Sequence, residues 1–258
     1  MNEHHVNYYR DELSDEFSRA RIQARRIDGH YRYPTDSIRT RLLHAFCYRI
    51  IAAPIAFLYT QCKFRHRIVG SECLRPYLHT GYFLYGNHTQ DIGDAFLPNM
   101  LQKRQDKYVI VHPSNVSIPV IGRATPFMGA LPLPDDHVAY RNFITTLEHR
   151  LRAGNAVVIY PEAHIWPYYT GLRPFGDASF CYPVRFDVPA FCFTNTYQRQ
   201  NNRKTPQIVT YVDGPFFPDK CLSPRLCRRD LRDRIYACMT ERAKRSDMVM
   251  IEYIKKED

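Results

Sequence analysis

Residues 84–96 (LYGNHTQDIGDAF) place one histidine close to two carboxylates behind a short apolar run. His88 is followed by Asp91 and then by Asp94. A histidine whose one ring nitrogen is held by a carboxylate has a fixed tautomer, and its other nitrogen can take a proton from a hydroxyl near neutral pH. The alternative is an ordinary polar turn between a strand and a helix, where His, Asn and Asp are common.

A second buried strand, predicted over 155–164, ends in another pair of polar residues, Glu162 and His164. Open α/β sheets place their sites at the carboxyl ends of their strands. We therefore expect the two strand ends to share one polar site. The segment 113–134 is broken by Pro and Gly, which predicts a loop that closes over this site.

The elements that must position these residues alternate between strand and helix patterns. This alternation predicts an α/β fold: one mostly parallel sheet flanked by helices. Asp36 is the expected N-cap of a helix that bends near Pro54. Strands are predicted at 64–69, 82–86, 107–112, 155–164, 188–195 and 207–213, with a short one near 127–132, and helices at about 11–26, 36–59, 94–104, 135–154 and 224–245.

The net charge of +10 is concentrated near the N-terminus, because residues 19–67 hold eleven Lys or Arg and only two Asp. The same region contains the apolar, aromatic-bearing run 41–59, which is short and interrupted for a membrane span. Its basic flanks indicate an interfacial helix on an anionic membrane surface. We predict an N-terminal arm and interfacial helix over 1–62 and an α/β domain over 63–258. A buried helix of a soluble domain remains the alternative.

Several classes of function lack their signatures. No RNP, zinc-finger or helix-turn-helix pattern is present, so we expect no nucleic-acid partner. The eight cysteines form no CxxC pair, and the first thirty residues contain no apolar signal segment. We interpret the cysteines as reduced thiols of a cytosolic protein and expect no metal. The absence of GxSxG argues against a serine esterase.

Four blocks resemble, in order and spacing, those of the glycerolipid (lysophospholipid) acyltransferases: NHTQDIGD, IGRATPFMGALPLP, VVIYPEAH and DVPAFCF. They cover roughly residues 80–195. The resemblance, closest to the 1-acylglycerol-3-phosphate O-acyltransferases of phospholipid biosynthesis, implies transfer of a fatty acyl group from acyl-CoA or acyl-carrier protein. The acceptor is a hydroxyl of a lysophospholipid-like molecule, and no cofactor is needed. The implied location is peripheral, on the cytoplasmic face of a membrane.

The resemblance also implies roles for individual residues. His88 is the general base on the acceptor hydroxyl, and Asp94 orients it. Backbone donors of loop 122–130 face the thioester oxygen. The expected substrate-binding residues are Asn87, Arg123, Glu162, His164 and Arg173.

The chain departs from the family pattern at three places. The family's aspartate lies five residues after the histidine, where this chain has Gly93; Asp94 comes one residue later, and Asp91 is the alternative partner. After Glu162, the family's Gly, Ser or Thr, and Arg are replaced by Ala163, His164 and Ile165. The arginine that grips the substrate phosphate is replaced by Asp135 and Asp136, so Arg123, Arg141 or Arg173 must substitute. A lipid or thioester hydrolase with the same dyad, or a non-catalytic lipid-binding relative, are the alternative functions.

Overall fold

The computed structural model describes residues 5–18, 22–34, 37–201 and 203–256. In these ranges the strands are β1 (His5–Tyr9), β2 (Arg67–Val69), β3 (Tyr82–Gly86), β4 (Lys107–Val111), β5 (Ala130–Pro132), β6 (Ala156–Ile159), β7 (Ala190–Gln198), β8 (Gln207–Phe216) and β9 (Ile251–Lys255). The helices are α1 (Ile38–Lys63), α2 (Gly93–Leu101), α3 (His137–Arg152), α4 (Cys181–Phe186) and α5 (Pro224–Ala243). Short 3₁₀ turns lie at Ser71–Tyr77, Pro113–Val116, Ile121–Arg123, Thr125–Met128 and Ala178–Phe180.

Seven of the described strands form one sheet in the order β2-β8-β7-β3-β6-β4-β5, and only the β7–β8 pair is antiparallel. The central strands β3 (YFLYG) and β6 (AVVI) are buried along their whole length. Such continuous apolar strands are typical of a parallel sheet that is covered on both faces. The predicted single-domain α/β fold is confirmed.

The two faces of the sheet carry separate apolar cores because successive side chains of a strand point to opposite sides. Phe83 and Tyr85 pack with residues of α3 and α5, whereas Tyr82 and Leu84 pack on the other face with α2 residue Leu101. Strands β3 and β6 are neighbours in this sheet. Their carboxyl ends, which carry the two predicted polar groups, therefore lie side by side.

The predicted helix over 11–26 is wrong: residues 11–18 and 22–26 contain no helix, and 19–21 lie outside the described residues. The side chain of Asp11 accepts hydrogen bonds from Leu13 N–H and Ser14 Oγ–H, and Asp15 accepts from the backbone N–H of Arg10. These local bonds occupy the groups that a helix needs. Before this turn, β1 pairs in parallel with β9, a two-stranded sheet that the sequence did not predict.

Helix α1 is longer than predicted and continues through Pro54 to Lys63. The expected cap Asp36 lies outside the described residues; Ser37 Oγ accepts the N–H of Thr40 at 3.2 Å and caps the helix. By length and composition the helix could cross a membrane, because an 18-residue window within it has a mean hydropathy of 1.6, contrary to the prediction that the segment is too short. Its α-helical turns alternate with π-helical turns.

Both sides of α1 are apolar, but only one is covered. Every fourth residue from Tyr48 to Thr60 is buried against the domain. The exposed large apolar side chains recur at the same spacing on the other side, because turns wider than 3.6 residues keep positions four apart on one face. This exposed stripe consists of Ile38, Leu42, Phe46, Ile50 and Leu58, which are 51–77% exposed.

Candidate active site

The candidate dyad is formed in the turn between β3 and α2. Nδ1 of His88 lies 2.7 Å from Oδ2 of Asp94, which is in the first turn of α2. Oδ2 also accepts the backbone N–H of Gln90 at 2.9 Å, and the N–H of Asp94 donates to the carbonyl of Gln90 at 3.1 Å. A Cβ atom on Gly93 would lie 2.8 Å from the side chain of Gln90, so this tight turn requires glycine there.

The environment of the dyad leaves one imidazole nitrogen available. The Asp94 side chain is 4% exposed, whereas that of His88 is 24% exposed. Because an ionised carboxylate can only accept, Nδ1 of His88 carries the hydrogen and Nε2 is the basic nitrogen. The ring stacks on Tyr160 with centroids 4.7 Å apart, which fixes its plane. Burial raises the pKa of Asp94, while the hydrogen bonds from His88 and Gln90 act in the opposite direction.

The structure places Asp94, not Asp91, against the imidazole. Asp91 is exposed and lines a separate cavity of about 290 Å³ between the end of α1 and the β1–β9 sheet. The one-residue offset from the family spacing is absorbed by the turn, because α2 begins at Gly93 and its first turn presents Asp94 to the ring.

Glu162 supports the histidine through the backbone. Its carboxylate is buried; Oε2 accepts the N–H of His88 at 2.7 Å, and Oε1 accepts the N–H of Arg173 at 2.8 Å. Burial raises the pKa of Glu162, and the positive charge of Arg173 opposes this shift. Glu162 therefore ties the loop after β6 to the turn that carries His88. This is a positioning contact, unlike the substrate contact expected for Glu162.

Arg173 also has a different environment from the one expected for a phosphate-binding residue. It is 1% exposed, and its guanidinium lies over the ring of Trp166, 5.0 Å from the centroid. Its Nη atoms donate to the backbone carbonyls of Glu12, Glu162 and His164. Because these Nη donors are already used inside the protein, the structure supports a structural role for Arg173, and its expected contact with substrate stays a prediction.

The remaining predicted residues, Asn87, His164 and Arg123, make contacts outside the dyad. Asn87 exchanges two hydrogen bonds with the backbone of Asn195, at 3.0 and 2.8 Å, which joins the end of β3 to β7. His164 pairs instead with Glu16 of the N-terminal arm, Nδ1 to Oε2 at 2.9 Å. Arg123 is exposed at the end of a 3₁₀ turn, and within the described part of the chain no hydrogen bond or ion pair joins it to His88.

Several of the expected oxyanion donors of loop 122–130 are occupied. The N–H groups of Gly122, Ala124, Phe127 and Met128 donate to carbonyls of the same loop at 2.8–3.2 Å. These turns form because the segment is rich in Pro and Gly and closes short i→i+3 bonds. These four N–H groups are therefore already hydrogen-bonded in this conformation, and their role toward the thioester oxygen stays a prediction.

Several residues of the site were not predicted from the sequence. Tyr160 stacks on His88 and donates its hydroxyl to the carbonyl of Asp94 at 2.5 Å. Tyr197 accepts a hydrogen bond from the Gln90 amide and contacts Thr89 Oγ1 at 2.7 Å, which holds the other side of the turn. The sequence did contain one signal for these contacts, the polar run TNT inside the otherwise apolar strand β7. Buried polar side chains require partners, so this run indicates a polar neighbour next to β7.

One group of potential metal donors occurs among the described residues. The ligand atoms of Cys192, Asp213 and Cys238 lie within 4.8 Å of one another. The carboxylate of Asp213 is already engaged by Arg242 through two contacts of 2.6 and 2.9 Å. None of the three belongs to the dyad, and the expectation of a metal-free reaction stays a prediction.

Neither the models of protein families nor the curated proteins include a match to this chain. Among solved structures, the chain is similar to the 1-acyl-sn-glycerophosphate (LPA) acyltransferase PlsC from Thermotoga maritima. The TM-score is 0.55 with 16% sequence identity, and the similarity covers 81% of each chain. The two proteins share the fold.

Proposed function

We propose that this chain is an acyltransferase that moves a fatty acyl group from acyl-CoA or an acyl-carrier protein to a hydroxyl of a lysophospholipid-like acceptor. The observation that carries the proposal is the 2.7 Å contact between His88 Nδ1 and the buried Asp94 carboxylate. It lies at the carboxyl edge of the parallel sheet, in a fold similar to that of PlsC.

In the proposed reaction, Nε2 of His88 removes the proton of the acceptor hydroxyl while the oxygen attacks the thioester carbonyl. The tetrahedral intermediate then collapses, the C–S bond breaks, and the imidazolium returns the proton to the leaving thiolate. The products are an ester and a free thiol. Asp94 stabilises the imidazolium and keeps the reactive tautomer. The reaction uses two substrates and no cofactor.

We further propose that α1 holds the protein on the cytoplasmic face of a membrane. The exposed stripe supplies apolar side chains for insertion, and Arg39, Arg41 and Arg49 on the same helix attract anionic headgroups. A transmembrane arrangement is disfavoured because α1 packs against the domain. The buried side chain of Tyr48 donates a hydrogen bond from its hydroxyl to Asn99 Oδ1 of α2. A helix surrounded by lipid on all sides could not keep that contact.

The test is to incubate the purified full chain with radiolabelled acyl-CoA and a panel of lysolipids dispersed in detergent. Formation of a labelled diacyl lipid supports the proposal. His88→Ala should abolish it while the chain still unfolds cooperatively, with the melting temperature lowered because the buried Asp94 carboxylate loses one hydrogen-bond partner.

Other products would contradict the proposal. Free fatty acid without labelled lipid would identify a hydrolase that uses water as acceptor. No turnover with either acyl-CoA or acyl-carrier protein would indicate a non-catalytic lipid-binding relative. Activity of His88→Ala within tenfold of the wild type would show that His88 is not the base.

A further inference from the structure

The loop between β4 and β5 carries an apolar turn at residues 118–122 (IPVIG), here called the loop tip. At its centre Val120 is 93% exposed, and the next residue, Ile121, is 55% exposed. Neither side chain takes part in the reaction proposed above. The exposure of two adjacent large apolar side chains is therefore not explained by the catalytic site.

The backbone of the loop tip is strained at Val120. This residue has φ 66° and ψ −59°, and the N–H of Ile121 donates to the carbonyl of Pro119 across it at 2.7 Å. Such a γ-turn with positive φ is rare and strained. A β-branched residue is unfavourable there, whereas glycine would adopt the same φ without strain. Because valine adds both strain and exposed apolar surface, we expect its side chain to have a use.

The loop beneath the tip holds this turn in place. The N–H of Gly122 donates to the carbonyl of Ile118 at 2.8 Å and closes the turn. Gly122 itself is buried, and a Cβ atom on it would lie 2.7 Å from the carbonyl oxygen of Val116. The chain is therefore closely packed under the tip, while Val120 protrudes from the surface.

The shape and size of the loop tip favour a lipid bilayer over other partners. Binding sites for small molecules are concave, whereas a residue that is 93% exposed at the centre of a tight turn protrudes. A stable protein interface buries about 800 Å² on each partner, far more than two side chains offer. A bilayer needs only a few apolar side chains that reach past its headgroups.

The surroundings of the loop tip suit an anionic membrane surface. Residues 112–134 contain no Asp or Glu, and Arg123 follows the tip as an exposed cation. The same loop also contacts α1, the helix proposed to lie on the membrane, because the carbonyl oxygen of Phe127 is 2.7 Å from Nδ1 of His44. His44 lies between Leu42 and Phe46 of the exposed stripe in the chain. The loop that carries the tip is thus joined to the helix that carries the stripe.

We propose that the loop tip inserts Val120 and Ile121 into the interface of an anionic membrane, as a second anchor beside α1. The inference rests on the membrane association proposed above. A helix that lies alone on a surface lets the domain turn about the helix axis, whereas a second anchor restricts that rotation. The loop leaves the sheet at the carboxyl end of β4, the edge that also carries His88. The second anchor therefore limits how far this edge can turn away from the bilayer that holds the lipid acceptor.

Val120→Gly tests the side chain while keeping the turn, because glycine adopts this φ without strain. Binding of the full chain would be measured by flotation with vesicles of phosphatidylglycerol and phosphatidylcholine in equal parts. We expect Val120→Gly to weaken binding about tenfold, the loss for one valine side chain that no longer enters an apolar environment. Its melting temperature should not fall. The matched control is Val249→Gly, at a valine that is 52% exposed before β9, and it should bind like the wild type.

Tryptophan fluorescence reports on the loop tip directly. The chain has a single tryptophan, Trp166, which is buried, so Val120→Trp adds one exposed reporter. On vesicles of the same composition with brominated acyl chains, the added emission should shift to shorter wavelength and be quenched. The emission added by Val249→Trp should show neither change.

Contrary results separate the second anchor from the proposals on which it rests. A wild type that does not bind the vesicles would overturn both the membrane association and the second anchor. If the wild type binds, equal binding of Val120→Gly, or emission from Val120→Trp that bromine does not quench, would overturn the second anchor alone. A wild-type dimer that Val120→Gly converts to monomers in light scattering would assign the tip to a second copy of the chain. None of these measurements needs turnover, so failure of the acyltransferase proposal would leave them readable.

Discussion

Replacement of Asp94 by Asn tests the dyad most directly, because the two side chains have nearly the same shape. In the wild type, Oδ2 accepts from both His88 Nδ1 and the Gln90 N–H, whereas Oδ1 is buried without a hydrogen-bond partner among the described residues. Asn can keep both bonds only by placing its NH₂ group at the Oδ1 position. There the amide would meet no acceptor.

The cost of that arrangement can be worked out from the structure. A buried donor without a partner costs about 1–3 kcal/mol. The backbone N–H of Thr89, which lowers the pKa of Asp94, points toward the same carboxylate and would oppose an amide donor. The flipped amide would instead donate to His88 Nδ1, which stabilises the tautomer with hydrogen on Nε2. The flipped amide therefore removes the reactive tautomer, and the unflipped amide keeps the tautomer but lacks the negative charge that stabilises the imidazolium. Loss of an orienting carboxylate lowers turnover by about 10⁴-fold.

The assay is steady-state acyl transfer from acyl-CoA to a detergent-dispersed lysolipid, with urea unfolding measured in parallel. Asp94→Asn should lower kcat by about 10³- to 10⁴-fold with little change in KM, because the acceptor still binds. Asp91→Asn, an exposed residue of the same turn, is the matched control and should stay within threefold of the wild type. A kcat for Asp94→Asn within tenfold of the wild type, or the opposite ranking of the two variants, would refute the role of Asp94.

Three further outcomes follow from other contacts. In Glu162→Gln, the amide NH₂ must face the N–H of either His88 or Arg173, so two donors point at each other. We expect the free energy of unfolding to fall by about 1–3 kcal/mol, measured as a lower melting temperature; an unchanged Tm would contradict this. Burial lowers the pKa of His66 to about 4. Between about pH 6.5 and pH 4 the imidazole is therefore protonated in the unfolded chain but not in the folded one. The free energy of unfolding should fall as the pH drops through this range, by about 3 kcal/mol in total. His66→Gln should flatten that dependence in urea titrations, and parallel curves for the two proteins would exclude His66 as its source. Phe46→Ser combined with Ile50→Ser should weaken binding to phosphatidylglycerol-containing vesicles at least tenfold, whereas Leu226→Ser, an equally exposed position on α5, should not; equal effects would remove α1 from the membrane contact.

The sequence by itself determined the sheet and most of its flanking helices. Short continuous apolar runs such as YFLYG and AVVI indicate central strands, since a strand buried on both faces has no room for polar side chains. The helix over 137–152 was also predicted correctly from the sequence, because Asp136 is a typical N-cap residue; in the structure its side chain accepts the N–H of Ala139. The sequence also placed His88 and Glu162 at strand ends, which a parallel sheet brings together wherever the strands are neighbours.

Only the tertiary structure decided which carboxylate meets the histidine and what the other charged residues do. Spacing favoured Asp94, which lies one residue from the family position, but left Asp91 open; the choice depends on where α2 begins and how its first turn faces. The sequence predicted Arg173 as a substrate-binding residue, but in the structure its guanidinium lies over the ring of Trp166 and donates to the carbonyl of Glu12 in the N-terminal arm. The pairing of β1 with β9 and the cavity beside α1 join segments far apart in the chain. Local patterns carry no information about such contacts, because they depend on the packing of the whole domain.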